Sequence, residues 1–125
     1  MTHQAMNNTM LTRLLVTILM MSFSLAFAAD HLSFITEGKP YSEVKQTLID
    51  QGWAPIKNAK IDRSSLYAQE IYAMGMTEVT DCISMEIDGC TFVYQKGKQR
   101  LEIKTITRQL SVASFRIYKK SSLPL

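Results

Sequence analysis

Cys82 and Cys90 are the only cysteines of this 125-residue chain, and they frame the stretch TDCISMEIDGCTFVY (80–94). Seven residues separate them, and that spacing decides among three chemistries. A thioredoxin-like redox site places two residues between its cysteines, so that one thiolate attacks and its neighbour resolves. A structural zinc site needs four ligands, usually with closely spaced cysteine pairs, and beyond residue 28 only His31 could add one. Asp88-Gly89 supplies a turn just before Cys90, and TFVY after it reads as a strand. A tight reversal of this kind brings two Cα atoms within disulfide range. The pair is therefore read as a structural disulfide, worth about 2–3 kcal/mol on the chain-entropy model.

Other catalytic chemistry has little to draw on. A serine or cysteine nucleophile needs a positioned base, and His31 lies close to the start of the expected mature chain. The carboxylate pairs Glu78/Asp81 and Glu86/Asp88 have types suited to acid–base work, but pairs in strands and turns are usually a solvated edge. No Gly-rich phosphate loop is present. Met74, Met76 and Met85 are soft ligands of the kind that hold Cu(I), yet Met74 fits the apolar stripe of a helix, and core filling is the expectation. The sequence predicts no enzyme, no cofactor and no metal.

The compartment follows from the N-terminal end. Arg13 precedes an uncharged apolar run, LLVTILMMSFSLAFAA (14–29), and Ala26-Phe27-Ala28 has the small-residue offsets of a signal-peptidase site. The run of 16 residues falls short of the roughly 20 that span a bilayer. Residues 1–28 are thus expected to be a signal peptide, with Met10 a second possible start, and residues 29–125 one small domain that is periplasmic or secreted. No stable membrane insertion is expected after cleavage. Within 29–90 there are five basic and ten acidic side chains, whereas 91–125 carries eight basic ones against Glu102 alone. The halves should attract each other, and the basic half could also meet an anionic partner. No nucleic-acid partner is expected.

The elements that must position these residues are legible from periodicity. KPYSEVKQTLIDQGW (39–53) reads as a helix with Pro40 in its first turn, a stripe of Tyr41, Val44, Leu48 and Ile49, and a stop at Gly52. Pro55 keeps the following segment off a central strand. SSLYAQEIYAMG (64–75) reads as a second, shorter helix capped by Ser64 or Ser65, with Leu66, Tyr67, Ile71, Tyr72 and Met74 apolar and Gly75 as its stop. From Thr77 the period changes to two. TEVTDCISM and CTFVYQ are candidate strands, a hairpin turns at Gly97, and RLEIKTIT and SVASFRIYKK follow. Leu101, Ile103, Ala113, Phe115 and Ile117 are assigned to the core, and Arg100, Lys104 and Arg116 to the opposite face. The fold class is α+β, with one or two helices packed on a three- to four-stranded antiparallel meander.

YSEVKQTLIDQGWAPI, GMTEVTDC and CTFVY together resemble a group of small exported bacterial proteins of uncharacterised function. The group shares a helix ending in Gly-Trp-x-Pro, a Gly-x-x-Glu-Val segment leading to a Cys, and a Cys-x-Phe-x-Tyr/Phe strand. The resemblance spans residues 38–105 and rests on Gly52, Trp53, Pro55, Gly75, Glu78, Val79, Cys82, Cys90 and Phe92. It implies export and a fold, but no activity. The expected role is a non-enzymatic bacterial envelope protein that binds another envelope protein or a cell-wall component. The alternative is an enzyme inhibitor presenting the disulfide-braced acidic loop 84–89. Candidate contact residues are Trp53, Glu86, Asp88, Arg100, Lys104 and Arg116, with burial the expectation for Trp53.

Overall fold

A computed structural model of the chain describes residues 32–120. The expected leader over residues 1–28, its cleavage site and His31 lie outside the described residues. Contacts divide the chain into Met1–Ser33 and Phe34–Leu125, and every element below belongs to the second unit. No helix among the described residues is long and apolar enough to cross a membrane.

Both helices end through the same backbone device. α1 spans Tyr41–Asp50 and α2 spans Leu66–Ala73. After α1, Gly52 takes φ +90°, its N–H bonds the Ile49 carbonyl, and the Trp53 N–H bonds the Leu48 carbonyl at 2.9 Å. After α2, Gly75 takes φ +104°, with its N–H on Tyr72 and the Met76 N–H on Ile71. These are Schellman closures, and the left-handed residue in them carries no Cβ penalty when it is glycine. Pro40 precedes α1 in extended geometry, without a side-chain cap. The cap of α2 is Ser65, whose Oγ accepts from the Ala68 N–H and donates to the Cys82 carbonyl.

The sheet is antiparallel and has five strands, one more than the upper expectation. The strands are β1 Ala54–Pro55, β2 Val79–Ile83, β3 Gly89–Lys96, β4 Gln99–Ile106 and β5 Ser111–Lys119. The extra strand is β1, which pairs Ala54 with Gln95 and Pro55 with Tyr94. It lies on the same edge of β3 as β2, which pairs from Val79↔Phe92 to Ile83↔Gly89. Val93 marks the handover, accepting from the Ile56 N–H and donating to the Glu78 carbonyl. Proline is tolerated in β1 because the strand is at an edge. Gly97, at φ +60°, is the first of two residues joining β3 to β4, the position where a type II′ hairpin needs glycine. The β4–β5 turn instead puts Thr107 at φ 64° and Leu110 at φ 55°. Leu110 is held there by its buried side chain and by its carbonyl, which accepts the Tyr41 N–H.

The core lies between α1 and one face of the sheet, with α2 packed along β2. Tyr41, Val44 and Leu48 meet Phe92, Tyr94, Leu101 and Ile103, all with almost no accessible surface. The rings of Tyr41 and Phe92 stack with centroids 3.9 Å apart. Several core assignments need correction. Ile49 and Leu66 are exposed, and Met74, at 71 % exposure, fills no core position. A bulge between Lys104 and Thr105 shifts the β5 register, so Val112 rather than Ala113 takes the inward site. Phe115 and Ile117 do point inward, opposite Ile103 and Leu101, but nothing fully covers them.

Candidate functional site

The most tightly bonded polar cluster is inside the domain. Glu78, read from sequence as part of a solvated edge, has no accessible surface. The Tyr41 hydroxyl donates to its Oε1 at 2.9 Å, and Lys45 Nζ sits 2.7 Å from the same oxygen and 3.2 Å from Oε2. Tyr94 completes the chain through the Tyr41 hydroxyl, 2.5 Å away. Burial, followed by the neighbouring Tyr94 and Glu78, pushes the Tyr41 phenol far above its ordinary range. Burial likewise raises Tyr94. Both hydroxyls therefore stay protonated, Tyr41 donating to the carboxylate and Tyr94 to the Tyr41 oxygen. Each member of the group is hydrogen-bonded within it, so the group clamps α1 to the sheet.

Cys82 and Cys90 are directly opposed in register and form a disulfide. Their loop is also tied at its far foot. Arg108 Nε bonds Asp88 Oδ2 at 3.2 Å, its Nη1 lies 3.7 Å from Glu70 Oε2, and its guanidinium sits 4.1 Å over the Tyr67 ring. Asp88 is thus engaged in an ion pair, whereas Glu86 is free in solvent between exposed Met85 and Ile87. Trp53 is buried behind the α1 closure, with Lys96 Nζ 6.0 Å from its ring.

Alternation carries Arg100, Lys104 and Arg116 to the sheet face away from α1, where their surroundings differ. Arg116 forks onto Glu102 at 3.2 and 3.3 Å and lies 4.9 Å over the Tyr118 ring. Arg100 lines a trough of about 500 Å³ that crosses the face beneath the 57–60 loop. Its Nε is buried without a hydrogen-bond partner among the described residues, and such orphaned donors are rare. Lys57 and Lys60 wall the same trough, with Val93, Glu102 and Tyr118. The wall is stiff because Asn58 Nδ2 donates to the Val79 and Thr80 carbonyls and its Oδ1 accepts the Lys60 N–H. Lys57 and Lys60 were not singled out in the sequence, because they lie in a polar connection remote from the basic strands.

Lys104 belongs to a second concavity of about 360 Å³, lined by Ile83, Ile87, Ile106, Ala113 and Asp81. Asp81 is already engaged. Its carboxylate accepts the N–H groups of Ser65 and Cys82, and those bonds hold it below the usual carboxylate range. Neither concavity gathers three metal-ligating side chains, and no such group occurs among the described residues. What the face can do is hold an anion against a trough with a partly apolar floor. Compared with protein-family models, with curated proteins and with solved structures, the chain matches none.

Proposed function

We propose that this chain is an exported, non-enzymatic bacterial envelope protein that binds an acidic partner, either another protein or a cell-wall polymer, through the sheet face opposite α1. The observation that carries the reading is the Arg100 trough. Three cations line it, its one carboxylate is already bonded to Arg116, and a buried guanidinium N–H waits for an acceptor. A disulfide in so small a domain suits an oxidising compartment. The leader-like N-terminal segment and the resemblance to small exported proteins support the same location. Cleavage is expected after Ala28, and the intact mass of the protein recovered from the periplasm or medium tests it.

Retention on an immobilised acidic polysaccharide tests the binding. Exposed charges act through a screened field with a reach of about 8 Å at physiological ionic strength, so retention should be weak and should fall with added salt. Replacing Lys57, Lys60 and Arg100, the three cations of the trough, by Gln should abolish it while the unfolding midpoint stays put. Retention that persists in high salt and survives those replacements would move the contact surface elsewhere.

A second reading is favoured by one feature. Met85 and Ile87 stand exposed at the tip of a loop braced by the disulfide and by Arg108, the form expected of an inhibitor inserting into an enzyme cleft. Under that reading Met85→Ser with Ile87→Ser abolishes inhibition of the target enzyme, and the Gln replacements do not.

A further inference from the structure

The core stops at β4 although the sheet continues to β5. Leu101 and Ile103 have no accessible surface, yet their partners Ile117 and Phe115 are 43 % and 39 % exposed. Directly opposed residues of an antiparallel pair share a face, so both aromatic and aliphatic groups belong to the helix side. The path of α1 explains the gap. The helix starts beside β5, where the Tyr41 N–H bonds the Leu110 carbonyl and Pro40 bridges Ser111. It ends near β1 and β3, where the Gln51 carbonyl accepts from Lys96. It therefore crosses the sheet on a diagonal and leaves the second half of β5 without a roof.

The outer edge of β5 is divided in the same way. Its first part is closed, because the Gly38 N–H bonds the Val112 carbonyl at 2.8 Å and the Val112 N–H bonds the Lys39 carbonyl at 2.9 Å. Past Val112, no strand among the described residues pairs with that edge. The Lys120 N–H points to the Lys98 carbonyl of the β3–β4 turn. By alternation, Tyr118, Arg116 and Ser114 aim their backbone groups at β4, and Lys119, Ile117 and Phe115 aim theirs outward. An open row of donors and acceptors beside an uncovered apolar strip is the geometry of strand addition.

We propose that the Phe115–Lys119 edge receives an extended peptide of a partner protein in which apolar residues alternate with acidic ones. The apolar residues would lie beside Phe115 and Ile117 and extend the core by one strand. The acidic residues follow from charge: residues 111–120 contain Arg116, Lys119 and Lys120 and no carboxylate. Two copies pairing through this edge would gather Arg116, Lys119 and Lys120 of both strands with no carboxylate between them, a recognised way for an edge strand to refuse itself. The open edge and its apolar strip are separate from the trough, but by alternation the acidic residues fall on the trough's side of the sheet, beside Arg116.

The test uses the purified protein and a capped peptide of about seven residues alternating Glu and Val, long enough to line the open edge. Amide hydrogen exchange by NMR should show new protection at Phe115, Ile117 and Lys119, with no change at Arg116 or Tyr118. The same peptide with its edge-facing amides N-methylated should bind at least about tenfold more weakly, because strand addition depends on main-chain hydrogen bonds. A Lys/Val counterpart should also bind more weakly. Ile117→Pro should block the Glu/Val peptide, since it removes an outward N–H and no ladder bond; the N-methylated peptide decides the matter if that variant misfolds. Binding indifferent to N-methylation, or shifts confined to Val93 and Arg100, would overturn strand addition and leave only attraction to the basic face. Protection of the same amides in a dimer of the protein alone would overturn the acidic peptide as the occupant.

Discussion

Lys45→Met should destabilise this domain more than Glu78→Gln, although the carboxylate is the buried member of the pair. Glu78 has no accessible surface, and the Lys45 side chain is 24 % exposed. Removing Lys45 strands a carboxylate in the core with Tyr41 as its one close donor. Breaking a buried pair in this way costs about 3–5 kcal/mol. Water reaching the vacated Nζ position reduces that to about 2–4 kcal/mol. Glu78→Gln keeps an acceptor for Tyr41 and leaves an ammonium that can extend into solvent, so the loss is about 1–2 kcal/mol. The double variant has no charge to strand and should be more stable than Lys45→Met alone. Urea unfolding with the disulfide intact measures all four corners of the cycle. Midpoint shifts should be accompanied by thermal shifts of about 4–8 °C per kcal/mol for a domain of this size. A Lys45→Met loss below about 0.5 kcal/mol, or additive single losses, would refute the clamp, because residues within one bonded network are expected to couple.

Replacing both Cys82 and Cys90 by Ser should lower stability by about 2–3 kcal/mol; coincident denaturant midpoints, or two titratable thiols in the wild type, would remove the staple. Asp81→Asn should cost about 0.5–1 kcal/mol at neutral pH, discounted for its exposure. Because its folded-state value is depressed, that contribution is present above about pH 4 and fades as acid protonates the carboxyl, so wild-type and variant melting curves should converge in acid. Thr107→Asn should raise stability by about 0.5–1 kcal/mol, since Thr107 is exposed at φ 64° and Asn tolerates the left-handed region better than a β-branched residue; a lowered midpoint would show that the threonine does something else in the turn.

The parts legible in the sequence are those set by local chemistry. Gly52 and Gly75 end helices because each occupies a single left-handed position, Ser65 caps a turn three residues long, and Gly97 makes a two-residue hairpin. Glu78 gave no such signal: its partners lie 33 and 37 residues earlier and 16 later in the chain. β1 is two residues long, too short for any periodicity to register. The bulge at Lys104/Thr105 adds one residue to β5 and thereby moves Ala113 to the outer face, a register event that alternation cannot show. For the candidate site, the side of the sheet taken by Arg100, Lys104 and Arg116 was legible. Which of them has a carboxylate was not, because Glu102 comes from β4 and the added cations come from the 57–60 loop.

A buried ion pair adds little net stability over apolar packing, so the Lys45–Glu78 bond is better understood through geometry. It joins the middle of α1 to the start of β2, while Tyr41 fastens the first turn of α1 to β3 through Tyr94 and to the β4–β5 turn through Leu110. With these anchors the helix axis has one direction across the sheet, from the start of β5 toward β1. That diagonal is what leaves Phe115 and Ile117 half-open, and it leaves the opposite face to residues with no part in the clamp. Relaxing the clamp should therefore reach surfaces it does not touch. In Glu78→Gln, α1 is freer to rotate over β5, and the exchange rates of the Phe115 and Ile117 amides should change while those in the Arg100 trough do not.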